Sequence, residues 1–114
     1  MLDHPAVEDI DLTTILAALG DPIRLAILGD LARSTGTALC CADFRELTSK
    51  SNLTYHIARM REAGIVHVEP SGTRRLISLR RADIDSRFPG VLDAIIANAI
   101  ALPSPFGPEG CGLQ

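Results

Sequence analysis

The sequence has no tryptophan, one tyrosine and three phenylalanines. A core built around large rings is therefore excluded, and one packed through Leu, Ile and Ala is expected, a balance that suits helices. No apolar run approaches the roughly 18 residues that a membrane span needs. The first stretch, MLDHPAVEDID, carries acids where a signal peptide carries bases. A soluble, cytoplasmic protein is the expectation. Regular cysteine spacing is also missing: Cys40, Cys41 and Cys111 make an odd set, which argues against a secreted disulfide framework and for a reducing compartment.

A positive net charge is absent too. The formal charge of the 114 residues is −3, but its distribution matters more than its sum. Residues 45 to 81 carry eight basic side chains against three acidic ones, a local charge of +5, and the remainder carries −8. Such a bipolar chain can turn a basic face to a polyanion while its acidic remainder discourages non-specific sticking. The length suits one domain, and so short a domain gains from sharing a core with a second copy.

Helical spacing marks Leu12, Ile15, Leu16 and Leu19, with Gly20 expected as a left-handed stop. Asp21-Pro22 reads as a cap and first helical residue, opening a helix with Ile23, Ala26, Ile27 and Leu31 on one face and an end near Arg33. Ser34 to Thr37 suit a loop, and Cys41 to Leu47 a short helix. Ser49 caps the clearest helix, with the stripe Leu53, Ile57 and Met60 closed by Gly64. IVHVEP and RRLISLR, joined by Ser71-Gly72-Thr73, predict a hairpin. After Pro89-Gly90 comes VLDAIIANAIAL, too apolar for a lone surface helix and in need of a partner. The expected domains are a flexible N-terminus over 1–10, one folded unit over 11–102 and a flexible Pro- and Gly-rich tail over 103–114.

A short helix, a tight connection, an amphipathic helix and a basic hairpin form the order of a winged helix-turn-helix. The fold class expected is mainly α with a small β-hairpin: five or so helices plus a two-stranded wing. The second helix of such a pair enters the major groove of double-stranded DNA. With Leu53, Ile57 and Met60 inward, the side chains offered to DNA are Lys50, Ser51, Asn52, Thr54, Tyr55 and Arg59, with His56 placed either at DNA or in helix packing. Asn52 suits an adenine edge, and Lys50 and Arg59 suit phosphates. Thr73, Arg74 and Arg75 at the hairpin tip suit the neighbouring minor groove or its phosphates. Two arginines guarding an edge strand are the alternative for that tip.

These residues resemble the ArsR/SmtB group of bacterial winged-helix repressors over roughly residues 12 to 100. The likeness is carried by ALGDPIRLAIL and by SKSNLTYHIARMREAGIV, with its Ser-x-Ser start, central His and terminal Arg-Glu-Ala-Gly. It implies a homodimer through the helices near 12–19 and 91–101, two recognition helices on a two-fold-related operator, and a metal, metalloid, redox or other signal that releases or tightens binding.

The sensing pattern departs from that group. Its usual Cys-x-Cys spacing is broken, since Cys40 falls on the first ligand position, Ala42 on the second and Cys41 between them. Vicinal thiols still suit a metalloid or an oxidant, with Cys111 as a third ligand or resolving thiol; two idle, half-buried side chains are the competing reading. No His lies beyond His67, so the group's metal site on the last helix is absent, and His4, His56 and His67 form no ligand pair. No metal or required cofactor is assigned. Enzymatic activity is not expected: a thiol oxidoreductase would want Cys-x-x-Cys and a βαβ pattern. An effector-independent regulator and a protein-interaction module remain as alternatives.

Overall fold

The computed structural model describes residues 3–33, 39–40 and 49–101. Helix α1 (Leu12–Leu19) starts where the Asp11 carboxylate accepts the Thr14 amide at 3.3 Å. The same carboxylate takes the Thr13 hydroxyl, and these bonds hold its pKa below the ordinary carboxylate value, the Thr13 bond contributing most. The helix ends at Gly20 with φ −80°, so the expected left-handed stop is not used here. Instead the chain bends by 103° into α2 (Pro22–Arg33). Asp21 caps α2 by accepting the amides of Ile23 at 2.8 Å and Arg24 at 3.2 Å.

Strand β1 (Leu39–Cys40) leads towards α3 (Lys50–Glu62), where Ser49 Oγ accepts the Asn52 amide at 3.2 Å. Helix α3 closes in a Schellman arrangement: Ile65 N–H bonds Met60 O at 2.9 Å and Gly64 N–H bonds Arg61 O at 3.0 Å. That geometry requires the φ of +83° found at Gly64. Strands β2 (Val66–Ser71) and β3 (Arg74–Leu79) follow, in register from Val66↔Leu79 to Ser71↔Arg74. Two residues turn the hairpin, and Gly72, at φ +63°, takes the first of them. Helix α4 (Arg81–Arg87) and helix α5 (Val91–Ala101) complete the order.

The expected hairpin is thus one part of a three-stranded antiparallel sheet, ordered β1-β3-β2, because Leu39 pairs with Ile77 and Cys40 with Leu76. Pro70 lies in β2, an edge strand, where its missing N–H breaks no ladder on the open side. The expected helix over Cys41 to Leu47 and the tail with Cys111 lie outside the described residues. Among the described residues no single helix is long and apolar enough to cross a membrane.

One aliphatic core joins all these helices to the sheet. Ile15 and Leu19 enter it from α1, Ile27, Leu28 and Leu31 from α2, and Leu53, Ile57 and Met60 from α3. Val66, Val68 and Ile77 cover it from the sheet, with Ile84 from α4 and Leu92 and Ile96 from α5. Each such side chain contributes about 1.5–3 kcal/mol when fully buried. Leu16, expected on the inner stripe, is instead 50% exposed. Helix α5 finds much of the partner its composition asks for in α2; among its described side chains, Ala94, Ala97 and two polar residues, Asp93 and Asn98, stay outside.

The N-terminal segment, for which the sequence leads to the expectation of a flexible 1–10, packs against the body over its described residues, 3–10. From Asp3 onward it is a strap laid across the body, with a 3-10 turn at Val7–Asp9. Arg61 of α3 donates to Asp3 O, Arg80 to Pro5 O at 2.8 Å and Arg87 of α4 to Val7 O at 2.8 Å. His4 Nε2 accepts the Val68 amide of β2 at 3.0 Å, and its ring stacks on His67 at 4.3 Å. Ile10 then plugs into the core, 1% exposed.

Candidate nucleic-acid interface

Helix α3 divides cleanly into two faces. Leu53, Ile57 and Met60 are buried, as their spacing predicts, and Ser51, Asn52, Thr54, Tyr55 and Arg59 are exposed on the other side. Lys50 is the first residue of the helix. The Tyr55 ring is 56% exposed, with the Arg59 guanidinium carbon 5.9 Å from its centroid. Arg59 also pairs with Glu62 one turn on. Amide, hydroxyl, phenol and cation thus share one solvent-facing strip, a set suited to base edges and phosphates.

His56 is 7% exposed and faces inward, where Arg24 Nη1 of α2 lies 3.0 Å from its Nδ1. Its ring is therefore in the helix packing, the second of the two places the sequence allowed it. The signal was present in the spacing: position 56 is three residues after Leu53 and four before Met60, on the inner stripe.

The hairpin tip is the second half of the site. Gly72, Thr73, Arg74 and Arg75 are all exposed. Among the described residues, three of the basic side chains that made the 45–81 segment conspicuous are occupied elsewhere. Arg61 and Arg80 hold the strap, Arg80 also pairs with Asp83 at 2.9 Å, and Arg81 pairs with Asp93 and lies 3.7 Å from Asp85. Among the described residues Arg74 and Arg75 are the two guanidinium groups with no carboxylate, carbonyl or ring as partner. Sequence counting could not separate these two from the rest, because charge is visible in a sequence and its neutralisation across the fold is not.

Of the thiols, Cys40 is placed by its backbone in β1, opposite Leu76 of the wing strand; Cys41 and Cys111 lie outside the described residues. Among the described residues no three His, Cys, Asp or Glu side chains are grouped as a metal site.

Residues 19–69, from the end of α1 through most of β2, match the family described as a helix-turn-helix domain. The chain is also similar to an uncharacterized HTH-type transcriptional regulator, YceK, of Bacillus subtilis (strain 168), at 32% identity over 83 residues, which span 71% of this chain and 82% of that protein. The match and the fold agree on α3 and the strand that follows it, and the chain belongs to the helix-turn-helix family of transcriptional regulators.

Proposed function

We propose that this protein is a repressor of the ArsR/SmtB type that binds a two-fold-related DNA operator as a homodimer and responds to a chemical signal. The observation that carries the DNA half is the exposed pair Arg74 and Arg75 on the hairpin, guanidinium groups without a partner among the described residues, together with the exposed polar strip of α3. In this reading α3 lies in the major groove, with Asn52 on an adenine edge and Ser51, Thr54 and Tyr55 on neighbouring bases or phosphates. Lys50, Arg59, Thr73, Arg74 and Arg75 hold the backbone, and contacts of this kind fix register without reading sequence.

The dimer reading is supported by α1, whose Leu16 is a large apolar side chain half exposed beside Ala17, and by the small outer residues Ala94 and Ala97 of α5. Helices meeting through such residues bring two copies of α3 into a symmetric pair. The signal is proposed to act at thiols, Cys40 and Cys41 with Cys111, through a soft metalloid or an oxidant.

The test is retardation of a duplex from the chain's own promoter region at several salt concentrations. Binding that weakens steeply with salt, and that weakens further in Arg74→Ala/Arg75→Ala, is the expected result. Equal retardation at all salt concentrations would count against the DNA reading.

A further inference from the structure

The contact that removes His56 from the DNA face gives it another role, one that rests on the DNA-binding reading. Arg24 is half-buried on the first turn of α2, fixed there by the Asp21 cap on its own amide. Its Nε donates to Ala18 O at the end of α1, and its Nη1 reaches His56 Nδ1 at 3.0 Å. Ala18 supplies one of the last four carbonyls of α1, which have no partner inside the helix, and a cation there also suits the negative end of the helix. A guanidinium only donates, so Nδ1 is the acceptor and the ring is held in one orientation. Among the described residues, no carboxylate pairs with either side chain, and Tyr55 stands edge-on to the imidazole at 5.4 Å.

One side chain therefore joins three helices. We propose that Arg24 is a positioning residue of the recognition helix: through His56 it fixes the height and roll of α3 relative to α1 and α2. Sequence discrimination then depends on two side chains that touch no DNA. Base-edge hydrogen bonds need alignment within a few tenths of an ångström, whereas phosphate contacts through long side chains tolerate more. Loosening the bridge should lower specific binding much more than non-specific binding.

The experiment compares the duplex that the wild-type chain enriches from a random-sequence pool with mixed-sequence genomic DNA, for wild type, His56→Leu, Arg24→Met and His56→Asn. Asn places Oδ1 the same number of bonds from Cα as Nδ1 and restores an acceptor. The ratio of the two affinities is expected to fall about tenfold in His56→Leu and Arg24→Met, the loss of one hydrogen bond to a charged group. It should return to within about threefold of wild type in His56→Asn. Thermal unfolding of each variant shows that the assay temperature lies below its transition; should His56→Leu not fold, Arg24→Met against His56→Asn decides in the same way. An unchanged ratio in the disrupting variants, or an equal loss in His56→Asn, overturns the positioning role alone. Failure of the wild-type chain to enrich any duplex overturns the DNA reading and this proposal with it.

Discussion

Gly64 is where the strap, the end of α3 and the core meet, and replacing it by alanine separates two costs that usually come together. Its φ of +83° is strained for any side chain, at about 1–2 kcal/mol. A Cβ there would also stand 2.7 Å from Ile10 Cγ1 and 3.0 Å from its Cδ1, well inside the 3.5–4.0 Å of ordinary carbon contact. Ile10 is 1% exposed, so yielding by nearly an ångström gives up part of the roughly 2 kcal/mol that its burial contributes. Gly64→Ala should therefore cost about 2–4 kcal/mol. Gly72→Ala is the control. It also has positive φ, +63°, but nothing lies within 4 Å of its Cβ, and it should cost about 1–2 kcal/mol, the backbone share alone. The difference corresponds to roughly 5–10 °C in thermal midpoint for a domain of this size, read by circular dichroism. Ile10→Ala removes the three atoms nearest the new Cβ, so the double variant Ile10→Ala/Gly64→Ala should fall short of additivity by about 1–2 kcal/mol. Equal midpoints for Gly64→Ala and Gly72→Ala, or an additive cycle, would refute the reasoning.

Four further outcomes are expected. Asp11 has its pKa lowered in the folded state, so its stabilising contribution is full at neutral pH and is lost as pH falls through that lowered value; acid unfolding of Asp11→Asn should lack this component. Arg74→Ala/Arg75→Ala should weaken binding to every duplex and reduce the slope of log K against log salt by about 0.9 for each phosphate no longer neutralised. Asn52→Ala should relax discrimination at one base pair, by about 1–3 kcal/mol, while leaving the salt slope alone; equal losses on all operator variants would remove its base-reading role. Cys40→Ser/Cys41→Ser should abolish release of the duplex by arsenite or peroxide, and Cys111→Ser tests the tail separately. Unchanged release in the double variant would end the thiol proposal.

The features legible in the sequence were those written in short-range pattern. The Ser49 cap, the Leu53, Ile57 and Met60 stripe, the Asp21-Pro22 start and the turn at Gly72 each depend on residues within a few positions, and each is found. What escaped depends on distant partners. Strand β1 has two residues and exists by pairing with β3 across the chain. Helix α4 buries a single residue, Ile84, and the side chain of its first flanking residue, Arg80, accepts none of the helix's free amides, so it carries neither periodicity nor capping signal. The strap is held through main-chain carbonyls of Asp3, Pro5 and Val7, which every residue has and no composition reveals. At the site, the polar face of α3 was readable from the helix period, whereas the selection of Arg74 and Arg75 from the described basic residues required knowing where the carboxylates and carbonyls lie.

The central claim, that α3 and the wing together grip DNA, is tested most directly by enriching duplexes from a random-sequence pool with the full chain and titrating the winner against salt. The expected result is a two-fold-related sequence and an affinity that falls steeply with salt, with a shallower slope in Arg74→Ala/Arg75→Ala. A pool that stays random, with binding indifferent to salt and to both arginines, would contradict it.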